Sequence, residues 1–117
     1  MTIAVPDAGT KNVAALATPY TLNGSTYTTL GAYTLYVSAP TLANGDSIDV
    51  RMKEKVTGSG GTQRVVTLAT ISNAQGSSNN LSVMVSVLAG VGTDFEVEQT
   101  TGTPIGNNLE YSIRAAT

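Results

Sequence analysis

A chain of 117 residues is the length of one domain. It can bury about two-thirds of the surface its unfolded form exposes, enough for a single core without staples. Only 12% of the residues are charged and the net charge is −2; with no histidine and no cysteine, the usual general base, the triad partner, thiolate zinc sites and disulfides are all excluded.

The six positive charges are too few and too dispersed for a nucleic-acid footprint, which needs a clustered basic face. No window of eighteen apolar residues exists for a membrane helix. The polar surface has to be built from Ser, Thr, Asn and Gly, a mix that suits exposed β-structure and packed protein–protein contacts.

Residues 1–17 are small and weakly patterned, with Pro6, Gly9 and the run Val13-Ala14-Ala15-Leu16-Ala17. The expectation is an extended arm that orders only against a partner, which makes Val13 and Leu16 candidate interface residues. The first residues lack a basic n-region and a long apolar run, so no signal peptide is expected. A single domain is expected over 18–117.

Thr18 to Thr29 reads as a strand interrupted by a turn at Asn23-Gly24. Ala32 to Ser38 is a clear strand of β-formers, ended by Pro40. Tyr33 and Leu35 share one face, which puts Tyr36 and Thr34 on the other and makes Tyr36 a candidate contact residue.

Asn44-Gly45 then delivers the chain into its most regular stretch, Asp46 to Val56. Ile48, Val50 and Met52 point one way; Asp49, Arg51 and Lys53 point the other. Strict alternation also puts Glu54 on the apolar face, unless it lies at the sheet end or a bulge turns it out. Gly58-Ser59-Gly60-Gly61 follows. A phosphate loop would need Lys-Ser/Thr and a helix after the glycines, whereas Thr62-Gln63-Arg64 leads into a strand, so a hairpin tip is expected.

Gln63 to Ser72 returns with Val65, Thr67, Ala69 and Ile71 on one face and Val66 and Leu68 on the other. Val66 and Leu68 then lie opposite the core and need a partner, unless the stems of Arg51 and Lys53 cover them. Ala74 to Asn80 is a polar loop. Leu81 to Leu88 places Leu81, Val83, Val85 and Val87 inward and Ser82, Met84 and Ser86 outward. After Gly90 and Gly92, Asp94, Glu96 and Glu98 alternate with Phe95 and Val97 in a strand over Thr93 to Thr100. A turn through Gly106-Asn107-Asn108 leads to the closing strand, Leu109 to Ala115.

Seven to eight short strands, regular turn signals and no convincing helix predict an all-β, antiparallel β-sandwich, jelly-roll-like. The acidic row is expected to lie beside the basic one, with Arg51 opposite Glu98, Lys53 opposite Glu96 and Lys55 opposite Asp94. Carboxylates neutralised in this way do not make a glycosidase pair. Asp46 and Asp49 match no calcium loop. Asn23-Gly24-Ser25 and Asn80-Leu81-Ser82 match the glycosylation sequon, which carries no meaning without a secretory signal. No cofactor, no metal and no enzymatic activity are expected, because no nucleophile–base pair can be assembled.

The order Asn44-Gly45-Asp46 with its alternating charged strand, then Phe95-Glu96-Val97-Glu98-Gln99-Thr100-Thr101-Gly102-Thr103 and the closing Leu109-Glu110-Tyr111-Ser112-Ile113-Arg114, resembles small all-β structural proteins of tailed bacteriophage particles, among them capsid decoration (cement) proteins. The resemblance covers roughly residues 32 to 115. It implies a virion protein made in the bacterial cytoplasm and carried on the capsid surface. Its partners would be the major capsid protein and itself, by analogy as a homotrimer. The alternative is a carbohydrate- or host-surface-binding module that uses exposed tyrosines.

Overall fold

Where apolar and polar residues alternate, one face of an extended chain can be buried while its backbone pairs sideways, and this chain solves that problem eight times. The computed structural model describes residues 1–77 and 79–117; Ser78, in the loop expected over Ala74 to Asn80, lies outside the described residues. The strands are β1 (Ile3–Val13), β2 (Pro19–Thr21), β3 (Gly31–Ser38), β4 (Ser47–Lys55), β5 (Gln63–Ser72), β6 (Val83–Ala89), β7 (Asp94–Thr101) and β8 (Gly106–Ala116). They form two antiparallel four-stranded sheets, ordered β1-β8-β3-β6 and β2-β7-β4-β5, called here sheets A and B. The expected all-β sandwich is what the chain forms.

The pairs β1–β8, β2–β7, β3–β6 and β4–β5 are those of one long hairpin folded at the glycine turn after β4. Pairing of β3 with β8 and of β4 with β7 rolls that hairpin into two layers. Between the layers lie Leu35 and Val37 of β3, Ile48 and Val50 of β4, Phe95 and Val97 of β7, and Leu109 and Ile113 of β8. The Phe95 ring sits 6.3 Å from both Tyr27 and Tyr33, which stack on each other at 5.0 Å. Both tyrosine hydroxyls find acceptors, Asp7 for Tyr27 and the Thr29 carbonyl for Tyr33.

The expected arm is instead mostly strand. β1 pairs with β8 along nearly its whole length, and Val13 is fully buried in the core. Its period is masked for two reasons. Register shifts fall between Ala4 and Asp7 and between Lys11 and Val13. In addition, Asp7 and Lys11 share the core-side parity of their partners Ile113 and Leu109. The half-buried Asp7 side chain accepts from the Tyr27 hydroxyl and, at 3.1 Å, from the Gly24 N–H.

The strand expected over Thr18 to Thr29 shrinks to β2. Beyond it the buried Asn23 side chain takes over the pairing: Oδ1 accepts from the Phe95 N–H at 2.9 Å and Nδ2 donates to the Ser25 carbonyl at 2.8 Å. In β5 an extra residue, Leu68, sits between Ala69, opposite Val50, and Thr67, opposite Arg51. This bulge reverses the parity expected for the first half of β5. Val65 and Thr67 therefore join the charged outer face, and Val66 lies opposite Met52. Leu81, expected inward, precedes β6 and is exposed. The neighbouring Ser82 ends the strand by donating its N–H to the Val37 carbonyl at 3.1 Å.

Candidate interaction faces

The two layers turn very different outer faces outward. On sheet B, β4 and β7 are antiparallel neighbours with the expected parity, but displaced by two residues. Arg51 lies opposite Glu96, Lys53 opposite Asp94 and Asp49 opposite Glu98, in place of the pairing expected from charge alone. The core explains the displacement. It sets Val50 on Val97 and Met52 on Phe95, and it carries Glu54 past the end of β7, where its carboxylate accepts from the Thr93 hydroxyl and, at 3.3 Å, the Val91 N–H. The expected register would have left Glu54 facing Phe95.

The charges on this face are mutually engaged. Arg51 Nη2 donates to Glu96 Oε2 at 2.8 Å and to Glu98 Oε1 at 2.6 Å. Lys53 Nζ lies 3.3 Å from Glu96 Oε1, an ion contact without hydrogen-bond geometry, which is why that oxygen lacks a hydrogen-bond donor. The Glu96 side chain is only 3% exposed although it faces outward. Burial works to lower the Arg51 pKa, but the hydrogen bonds and charges of Glu96 and Glu98 outweigh it and raise the pKa above its ordinary value. Asp94 behaves as the mirror case. Burial pushes its carboxyl up, yet donors from Gln63 at 2.8 Å, Asn23 at 2.9 Å and Thr26 at 3.0 Å, with the Lys53 charge, hold it below the usual carboxylate range.

The acidic loop residue Asp46 is a turn organiser. Its two oxygens accept the N–H of Ala43 at 2.9 Å and of Thr103 at 3.2 Å. Gly102 packs so closely over it, at φ +92°, that an added Cβ would meet Asp46 Oδ1 at 1.8 Å. Gly58 to Gly61 closes a tight turn, with the Gly61 N–H on the Gly58 carbonyl at 2.9 Å. Among the described residues, no three carboxylates converge as metal ligands would.

Sheet A is the opposite case. Cross-strand partners share a face, so its outer face can be read row by row. One row runs Ile3–Ala116–Ala32–Leu88 and is wholly apolar. Ile3 is 74% exposed and Leu88 85%. The next row is Arg114–Thr34–Ser86, with the Thr34 and Ser86 hydroxyls 2.8 Å apart. After it comes Ala8–Ser112–Tyr36–Met84, in which Met84 is 62% exposed. The charges on these rows are Arg114 and, one row further, Glu110. The Arg114 guanidinium sits 3.9 Å over the Tyr36 ring and occupies one of its faces. Beside Tyr36 is a shallow depression of about 410 Å³, lined by Thr10, Leu81, Glu110, Tyr111 and Ser112.

The five residues expected at an interface are therefore scattered. Tyr36 lies on the outer face of sheet A, as alternation implies. Val66, 49% exposed, and the half-buried bulge residue Leu68 lie on the edge strand β5. Leu16 is exposed in the connection before β2. Val13 packs in the core, so within this chain it is not available for contact. The most exposed apolar residues of sheet A, Leu88 and Ile3, are absent from that set. The alternation of β6 that points Met84 outward points Leu88 outward too; Ile3 carried no such signal, because Pro6 and the bulge break its pattern.

Comparison with known proteins finds no family model that matches the chain, no similar curated protein and no matching solved structure.

Proposed function

We propose that the chain is a structural protein of a tailed-bacteriophage particle, a capsid decoration (cement) protein that lies on the shell and ties neighbouring major capsid subunits together. The observation that carries this reading is the outer face of sheet A. It is rich in Ala, Ser and Thr, crossed by an uninterrupted apolar row and almost free of charge. Such a face is costly on a free protein and well suited to packing against a regular protein surface. The rolled hairpin is read as jelly-roll-like, a form whose two broad sheets leave one face for the shell and one for solvent. Sheet B, with its charges neutralised in place, fits the solvent side.

Each copy would cover a modest patch, and many copies on one shell would add avidity to weak individual contacts. The test is co-sedimentation of the purified chain with emptied phage heads, followed by heat or osmotic challenge of particles with and without it. Saturable binding and later DNA loss are expected. Absence of binding, with equal survival, would overturn the reading.

The second reading, a carbohydrate- or host-surface-binding module, draws on the depression beside Tyr36 and Tyr111. It is the weaker one, because Arg114 already covers one face of the Tyr36 ring. Glycan binding that is lost in Tyr36→Ala, without any binding to heads, would favour it.

A further inference from the structure

The four edge strands of the two sheets are not equally protected. β1 carries Pro6 and two register shifts. β2 is three residues long and begins with a proline. β5 is bent by the Leu68 bulge and carries Arg64. β6 has none of these devices: Val83-Met84-Val85-Ser86-Val87-Leu88-Ala89 contains no charge and no proline, and its ladder to β3 runs unbroken from Ala89 to Val83. A regular apolar edge of this kind is a template for another strand.

The sequence of β6 also says which strand fits. It is nearly symmetric about Ser86: Val85 and Val87 flank it, then Met84 and Leu88, then Val83 and Ala89. We propose that β6 pairs antiparallel with β6 of a second copy about a two-fold axis at Ser86, making one continuous eight-stranded sheet from the two sheets A. Ser86 then faces Ser86 of the other copy, and each Met84 faces a Leu88 across the seam, both on the outer face. An isologous contact requires this kind of self-complementarity. No charges oppose one another, because β6 carries none.

The pairing also covers the open side of the sandwich. β5 and β6 are the last strands of their sheets and meet along that side. Val83, Val85, Val87 and Leu68 are left half-buried there. A seven-residue seam about 24 Å long on a two-layer body about 20 Å thick gives roughly 1,000 Å² of total buried surface, the low end for a specific contact. The dimer is therefore weak alone and gains strength on a lattice. The pairing deepens the proposed role as an assembling subunit and rests on that reading. The resulting apolar face is twice as broad, with a Leu88 row at each side of the seam.

The experiment is native mass spectrometry and light scattering on the full chain over a concentration series. Dimers are expected at roughly 100 µM and monomers at roughly 1 µM. Met84→Lys with Leu88→Lys puts like charges face to face across the seam and should weaken the dimer at least about tenfold. Met84→Glu with Leu88→Lys puts opposite charges there and should restore it to within about threefold of the parent. Both sites are exposed in the single chain, and circular dichroism checks that each variant folds. Ser86→Cys, in a chain that has no other cysteine, should form a covalent dimer on mild oxidation, while Thr67→Cys on β5 should not. A monomer at every concentration, a trimer, or equal dissociation of the two double variants would overturn the pairing. Binding to phage heads is read separately and would survive any of these results.

Discussion

The outer faces of the two sheets share strand geometry and differ in how they satisfy themselves. On sheet B, every carboxylate of β7 has partners within the chain: Glu96 and Glu98 share Arg51, and Asp94 collects three side-chain donors. On sheet A, the side chains at the equivalent outward positions are mostly Ala, Ser, Thr and a few large apolar residues, with Tyr36, Arg114 and Glu110 among them, and Ile3, Met84 and Leu88 stand exposed. One face is finished by the monomer; the other is not. A chain that can satisfy three carboxylates on one layer has not run out of ways to make a polar surface. The bare layer therefore reads as a surface built to be covered.

This difference predicts a large energetic asymmetry. Glu96 is the buried member of the charged cluster, so Glu96→Ala should be the most damaging of these surface substitutions. It leaves the Arg51 guanidinium, four-fifths covered at the side chain, with Glu98 alone. A loss of about 2–3 kcal/mol is expected, below the usual cost of breaking a buried pair because Glu98 remains. Urea unfolding should show a lower midpoint at unchanged slope. A change under about 0.5 kcal/mol would mean the cluster is ordinary surface and would remove half of the comparison. Arg51→Lys should cost less, about 1 kcal/mol, since the lysine side chain is one atom shorter and draws its ammonium back from the position where Nη2 bridges both carboxylates.

Much of this architecture was legible in the residues themselves. β3, β4, β7 and β8 alternate cleanly, and charge alternation identified β4 and β7 as neighbours with the correct faces. Their register was not legible. Charge alone favours the register two residues away, which avoids setting Asp49 opposite Glu98, and the choice was made against it by Met52 seeking Phe95 and by Glu54 seeking Thr93, contacts that exist only in three dimensions. The bulge at Leu68 was hidden for a related reason, because Val65 to Leu68 offers apolar residues on both faces. β1 was hidden by polar residues at core-side positions, Asp7 and Lys11, whose half-buried setting no local pattern reveals. The outer face of sheet A was half legible: Tyr36 and Met84 follow from alternation, whereas the row joining Ile3 to Leu88 needs strands from both ends of the chain.

Asp94 offers a second test, with a pH signature. Its folded pKa lies below the ordinary carboxylate value, so its ionised form adds stability that is fully present above an unfolded pKa of about 4. That contribution is lost as pH falls through the depressed folded value. Asp94→Asn removes the charge and turns one acceptor into a donor facing the Gln63 and Asn23 amides. The variant should be about 1–2 kcal/mol less stable at pH 7, and the gap to the parent should close as the solution is taken well below pH 4. Urea titrations at neutral and acidic pH read this directly. A gap that stays constant with pH would assign the defect to shape, not charge.

The smallest expected change in stability belongs to the bare face. Leu88 is 85% exposed and Ile3 74%, so their side chains contribute little to the folded monomer. Leu88→Ser and Ile3→Ser should each shift unfolding free energy by less than about 0.5 kcal/mol. Ser keeps both positions compatible with a strand and adds no charge, so the substitutions change the apolar row and almost nothing else. If sheet A is a covered face, solubility should rise and binding to phage heads should fall at least about tenfold, because a large exposed apolar contact is traded for a hydroxyl that must be desolvated. The matching control is Thr70→Ala on the outer face of sheet B, where the Thr70 hydroxyl donates to Asp49 at 2.9 Å. It should leave binding unchanged. Two results would break the comparison between the faces. A loss of more than about 1 kcal/mol in Leu88→Ser would mean the monomer already packs that side chain. Equal loss of binding in Thr70→Ala would mean that the charged layer, not the bare one, meets the shell.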